Sequence, residues 1–476
     1  MGLILWAALL ACRTAAPAER PPAARAAPAP APAPRRSPRP DAIGGNILVL
    51  VLDDVGIDKI GAWGAHPQPA PTPNLDRLAA TGVRFTTVYG APACSTSRAA
   101  LLTGRYGIRT GFVESLNDND PPFALPDGEW TIAEALTPYG FTTGALGKWH
   151  LASHARVTRD VVTRHGFAHF RGTLANLPGP GYQPWTQRDE TGKTSRPAGY
   201  PTTVTADDAL AFARETPEPW FLWTAFHAAH SPVHTPPADL APTARVRGPD
   251  DTAGMVDAMI EAHDHEIGRL VDGLPPDVRA RTTVFVVGDN GTADHAVRPP
   301  LDPEQAKLTV HELGVRVPLL VFGRAVAAPG VRDSLTHVVD LFPTIAEIAG
   351  LPLAPAPTDG LPGSRLVDPG VALDGVSLLP QLQRADAPAP RALLYTEKAR
   401  GNGPPPWTVR QATMRDASWK LIRTPRGESL YHLTGVGLDE GPDRAGPRAD
   451  ADARAAQARL SAALDAVWAG TPYAGW

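Results

Sequence analysis

The chain has 476 residues, 43% of them hydrophobic and 20% charged, an ordinary globular composition on a chain longer than one average domain. Its formal net charge of −4 gives no footprint for nucleic acid, so an anionic ligand must be met by local cations. Two cysteines, Cys12 and Cys94, exclude a disulfide framework, and one cysteine cannot build a zinc site.

Gly2 to Ala11 is apolar but far shorter than the roughly 20 residues that span a bilayer. Residues 1–16 read as a signal segment, although no positive charge precedes the apolar run. Leu9-Leu10-Ala11-Cys12 resembles a bacterial lipobox, which implies a membrane tether through an acylated Cys12; an ordinary cleaved signal stands beside it. Both readings export the protein, as a periplasmic protein or a membrane-anchored lipoprotein of a bacterium. Residues 17–44, rich in Pro, Ala and Arg, favour extended conformations and read as a linker.

Asn46 to Leu52 is an uninterrupted apolar, β-branched run, the pattern of a strand buried on both faces of a parallel sheet. It ends in Asp53-Asp54-Val55-Gly56. A helix is expected over Asn74–Ala79. Ala91-Pro92-Ala93-Cys94-Ser95-Thr96-Ser97-Arg98 then puts a lone cysteine on a turn just before a helix, with a guanidinium one helical turn further on. Thr131 and Glu134 form a capping-box pattern. In Gly140 to His150 an extended chain would put Lys148 and His150 on one face and Trp149 on the other. Trp220 to Phe226 is a second buried strand, running into His227, His230 and His234; zinc held by this trio lacks a fourth ligand. Ala253 to Val271 is helical. Thr283 to Val287 is a third strand, ending in Gly288-Asp289-Asn290-Gly291. Polar clusters at the carboxyl ends of parallel strands mark where open α/β sheets bind ligands. Asp53, Asp54, Asp289 and Asn290 are hard oxygen donors that suit Ca²⁺, and less well Mg²⁺. After residue 352 the composition loosens; short strands over Ser418–Arg423 and Leu430–Leu433 and a helix from about 450 to 468 make a smaller unit.

Several of these segments resemble the sulfatase family. Cys94 to Arg105 is similar to the signature Cys-x-Pro-Ser-Arg-x-x-x-x-Thr-Gly-Arg, with Thr96 in place of proline. Gly140 to His150 is similar to its second signature. His230-Ser231-Pro232 matches the family's His-x-Pro, and Lys307 to Pro318 its Lys-x-x-x-x-Glu-Gly-Gly-x-Arg-x-Pro, with Leu313 for the first glycine. Leu430-Tyr431-His432-Leu433 resembles its Leu-Tyr-Asp-Leu stretch.

The resemblance implies an alkaline-phosphatase-like α/β fold: a large, mostly parallel central sheet flanked by helices at 45–380, then a smaller α+β subdomain with a short antiparallel sheet at 381–476. It implies that a formylglycine-generating enzyme converts Cys94 to formylglycine, whose aldehyde hydrate is the nucleophile toward a sulfate ester of a small molecule or a carbohydrate. Asp53, Asp54, Asp289, Asn290 and residue 94 would hold Ca²⁺. Lys148, Lys307 and Arg98 would hold the sulfate oxygens, His230 would protonate the leaving group, and His150 would take the proton that lets sulfate leave. A serine has no second hydroxyl with which to eject sulfate. Two rival readings are a phosphonate or phosphodiester hydrolase on the same scaffold and a non-catalytic sulfoglycan-binding surface lipoprotein. Glu114–Leu125 and Leu174–Tyr200 are the expected pocket loops.

Overall fold

The computed structural model describes residues 35–469, apart from 118–120, 154–155, 180–181, 435–436 and 448. The signal segment, Cys12 and most of the linker therefore lie outside the described residues. Residues 36–44 run along the body: the N–H groups of Arg36, Arg39 and Gly44 donate to the carbonyls of Pro138, Gly350 and Ile348 at 2.8–2.9 Å. Among the described residues no helix is long and apolar enough to cross a membrane.

The central sheet has ten strands. In chain order they are β1 (Asn46–Leu52), β2 (Val83–Tyr89), β3 (Thr142–Lys148), β4 (His169–Thr173), β5 (Gln187–Asp189), β6 (Thr194–Ser195), β7 (Trp220–Ala225), β8 (Thr282–Gly288), β9 (Leu319–Gly323) and β10 (Gly330–His337). Across the sheet they lie in the order β10-β2-β9-β8-β1-β7-β3-β4-β5-β6. The middle, β8-β1-β7-β3-β4, is parallel, and β9 is antiparallel to both of its neighbours.

Every residue of β1 is buried because successive side chains feed opposite faces. Ile47, Val49 and Val51 enter one core, and Leu48, Leu50 and Leu52 the other. An uninterrupted apolar run is what such a two-sided strand requires. The helices Pro201–Glu215 and Thr252–Gly273 contribute to the second core, and Cys94–Thr103 to the first. The expected capping box at Thr131 is present: its hydroxyl accepts from the Glu134 N–H at 3.2 Å, and Glu134 accepts from the Thr131 N–H at 2.9 Å.

Because the central strands are parallel, their carboxyl ends share one edge. That edge gathers Asp53 after β1, Lys148 on β3, His227 after β7 and Asp289 after β8. Gly147 sets the end of β3. Its φ is +80°, and a Cβ there would lie 1.9 Å from the Ala225 carbonyl oxygen of β7. Gly147→Ala is expected to cost about 2 kcal/mol or more through this clash and the left-handed backbone. A fall in the urea midpoint checks it; an unchanged midpoint would contradict it.

The C-terminal part holds a three-stranded sheet, β11 (Leu353–Pro355), β12 (Ser364–Leu366) and β13 (Ala372–Leu373), and a four-stranded antiparallel sheet. The latter is β14 (Leu394–Arg400), β15 (Thr408–Arg415), β16 (Trp419–Thr424) and β17 (Gly427–His432), with the helix Ala451–Ala469 packed on it. Met414, Leu421, Leu460 and Leu464 join the same core as Val49 and Phe342.

Candidate active site

Cys94 is the first residue of the helix Cys94–Thr103 and is 1% exposed, rather than standing on a turn ahead of it. Ser97 Oγ accepts from the Ala91 N–H at 2.7 Å and so closes the loop that leads into the helix. Cys94 Sγ lies 3.2 Å from Ser115 Oγ and 3.4 Å from His150 Nδ1.

Lys148 and His150 do converge, but not by strand alternation. β3 stops at Lys148, and His150 takes a left-handed backbone with φ of +57°. The N–H groups of Trp149 and His150 follow the β4 edge, donating to the Thr173 and Leu174 carbonyls at 2.9 and 3.1 Å. Trp149 fills the core against Phe167, ring centroids 5.7 Å apart, which forces the chain to turn there.

Lys148 Nζ donates to Asp53 Oδ2 at 2.5 Å, and Lys307 Nζ donates to Asp54 Oδ1 at the same distance. Asn290 Nδ2 also donates to Asp54 Oδ1, at 2.9 Å. Arg98 points at the protein: Nε and Nη2 reach Asp289 Oδ2 at 3.1 and 2.9 Å, and Nη1 reaches the Lys148 carbonyl at 2.7 Å. His230 Nδ1 faces the Ser231 carbonyl at 2.8 Å, so that nitrogen carries the hydrogen; Nε2 lies 3.9 Å from Asp54 Oδ2. His227 and His234 are held by Thr173 and Tyr200 at 2.9 and 3.0 Å. Among the described residues the three histidines do not gather on one metal position.

Oxygens of Asp53, Asp54 and Asp289 lie within 4.8 Å of one another, as do ligand atoms of Asp53, Cys94 and His230. Asp53 Oδ1 and Asn290 Oδ1 are buried with no hydrogen-bond partner. Leaving such oxygens unmatched is costly, and hard oxygen donors in this number fit Ca²⁺. The electrostatics agree. Burial would raise Asp53, but Lys148, His230 and Arg98 outweigh it and hold the carboxyl well below its usual range. Asp289 goes the other way: burial and the neighbouring Asp53 push it well up despite Arg98. Burial would also raise the Cys94 thiol, yet Lys148 and Lys307 bring it below its ordinary value. Burial, then Lys148, drives His150 well down and keeps it neutral.

An open cavity of about 1080 Å³ adjoins His150, with parts of both expected pocket loops in its wall, at 114–117 and at 174–178 and 184–186. Ser115 at the cysteine and Tyr182, whose hydroxyl donates to the His227 and His230 carbonyls, carry no sequence signal. Neither do Leu308, Lys398 and Arg400 in the cavity wall.

Residues 45–351 match the family model described as Sulfatase. Among curated proteins the chain is similar to arylsulfatase A of Bos taurus, 33% identical over 377 residues, covering 71% of this chain and 67% of that protein. It is also similar to N-acetylgalactosamine-6-sulfatase of Sus scrofa, 31% identical over 380 residues, covering 71% and 66%. The chain thus spans about two thirds of the length of these relatives. The structure of Ps i-CgsB in complex with k-i-k-neocarrahexaose superposes with a TM-score of 0.68 at 25% identity, covering 82% of this chain and 86% of that one. PsFucS1 sulfatase from Pseudoalteromonas sp. shares the fold, with a TM-score of 0.67 at 21% identity over 91% and 92% of the two chains.

Proposed function

The chain belongs to the sulfatase family, hydrolases of sulfate esters that act through a cysteine-derived formylglycine, and we propose that its own ester is carried on a carbohydrate. The observation that carries the assignment of residues is that Asp53 belongs to both ligand clusters, so the cysteine, the cation site and His230 meet at one carboxylate. The carbohydrate reading draws support from the relative named for N-acetylgalactosamine 6-sulfate, from the neocarrahexaose complex and from the size of the cavity.

Asp53, Asp54, Asp289 and Asn290 would hold Ca²⁺, with the side chain at position 94 beside it. When bound, the cation supplies charge to the sulfate oxygens and acidity to a hydroxyl, and the hydrated aldehyde supplies two hydroxyls on one carbon. Lys148 and Lys307, each held by one carboxylate, are the ammonium groups placed to turn onto sulfate oxygens as charge builds there. Arg98 is a positioning residue, fixing Asp289 and the end of β3 together. His150, kept neutral, presents Nδ1 to position 94 and can accept a proton from it. With Nδ1 of His230 committed to Ser231, its proton passes through Nε2, toward the leaving oxygen.

His230→Gln tests this. Turnover of a sugar sulfate, whose alkoxide is a poor leaving group, is expected to fall about 10²–10⁴-fold, and that of nitrophenyl sulfate far less. Equal losses on both would contradict the role. In the parent enzyme kcat/KM should be higher for sulfated oligosaccharides than for nitrophenyl sulfate or an aryl phosphodiester; the reverse order would overturn the substrate assignment. We also place the protein outside the cytoplasm, on the strength of the apolar segment 2–11, either tethered through Cys12 or released by cleavage of the signal.

A further inference from the structure

The cavity beside His150 has an uneven charge. Arg188 of β5 and Lys398 and Arg400 of β14 line it, and Glu114 is the single acid among its lining residues. Glu114 Oε1 already accepts from the Gly401 N–H at 2.6 Å. Among the described residues none of the three cations has a carboxylate within ion-pair distance, whereas Arg98, Arg391 and Arg415 elsewhere are all paired. Arg188 donates Nη2 to the Thr158 carbonyl at 3.0 Å, which fixes the guanidinium and leaves other donors free. Lys398 is pulled below its ordinary value by burial first and by Arg400 second, with Glu114 acting the other way.

The cationic wall is tied to the nucleophile's loop. Lys398 Nζ donates to the Leu308 carbonyl at 2.5 Å, and the Leu308 N–H donates to the carbonyl of Pro92, two residues before Cys94. Leu308 holds a left-handed backbone, φ +71°, with its side chain 45% exposed over the cavity. Such a conformation is costly for leucine and presents an apolar surface between the reacting centre and the cations.

We propose that Arg188, Lys398 and Arg400 form a second anion subsite that takes a sulfate or carboxylate on a sugar ring adjoining the one cleaved. The inference rests on the carbohydrate reading above and narrows it to oligosaccharides with at least two anionic groups. Charge-assisted and bidentate contacts from guanidinium groups are the natural reader of such groups.

Calorimetric binding to the Cys94→Ala protein, which does not turn substrate over, tests it with three probes: a disaccharide with one sulfate, the same with a second sulfate on the neighbouring ring, and the same with a uronate carboxylate there. The second anion is expected to tighten Kd about tenfold or more. Arg400→Ala, at an exposed position, and Arg188→Ala should each shrink that gain to about twofold or less. A gain with sulfate alone assigns the subsite to sulfate, and an equal gain with carboxylate assigns it to charge. Equal affinity for one and two anions, or a gain that survives both substitutions, overturns the proposal. Failure of the carbohydrate reading would show separately, as a parent enzyme that releases no sulfate from any sugar probe while hydrolysing nitrophenyl sulfate.

Discussion

Cys94→Ser is expected to fold as the parent does and to lose steady-state sulfate-ester turnover by about 10⁴-fold or more. The substitution is nearly isosteric at a fully buried position, and the neighbours of Sγ are the hydroxyl of Ser115 and the imidazole of His150, both able to meet an oxygen. What it removes is chemical. A serine oxygen can attack sulfur but carries no second hydroxyl on the same carbon, so sulfate stays on the enzyme. At most one equivalent of leaving alcohol should appear, and then nothing. A burst experiment at high enzyme concentration reads this directly; sustained turnover by the serine variant would remove formylglycine from the account.

Glu312→Gln should have the largest effect on stability. Glu312 is fully buried beneath the C-terminal sheet, where Oε2 meets Arg415 at 2.8 Å and Arg316 at 3.3 Å, and Oε1 meets Lys420 at 3.0 Å and the Tyr89 hydroxyl. Arg415 ends β15 and Lys420 lies on β16, so one carboxylate pins two strands of that sheet to the catalytic part. Removing it takes a carboxylate from Arg415, Arg316 and Lys420 at once, of which Lys420 keeps Glu440 at 2.7 Å. Breaking a buried pair in this way costs about 3–5 kcal/mol. The expected result is a lower urea midpoint and faster proteolysis in the segment between β13 and β14. The sign with pH follows from the charge. Burial would raise Glu312, but Arg415 and Lys420 hold it far below its ordinary value of 4.5. Its contribution is therefore present above that value and is lost as pH falls below it, so parent and variant should converge in acid. A gap that widens in acid would contradict the assignment.

How much of this could be read in the chain depends on what each residue answers to. β1 was legible because two-sided burial demands an unbroken apolar run, and Asp53-Asp54 and Asp289-Asn290 because parallel strands bring their carboxyl ends together. β14 and β15 were not. They carry Glu397, Lys398, Arg400 and Arg415; buried Glu397 accepts from the Ile108 N–H and buried Arg415 meets Glu312, 289 and 103 residues away, so no alternation marks them as strands. The direction of Arg98 was hidden for a similar reason. Its place in the signature brings it near the sulfate, yet its guanidinium is taken up by Asp289 and a β3 carbonyl that only the fold puts there. The left-handed turn at His150 follows from the burial of Trp149, which a reading of strand period alone does not contain.

Cys94, Ser95, Thr96 and Arg98 are all buried in the folded protein, so a modifying enzyme can reach this stretch only before the chain folds. Thr96 stands where the signature has proline, which makes the modification state the central fact to establish. The most direct measurement is peptide mass spectrometry of the tryptic fragment Phe85–Arg98 from enzyme made in its own host and shown to release sulfate. The aldehyde mass at position 94 is expected in proportion to activity. A fully active preparation in which Cys94 remains a free thiol would contradict it.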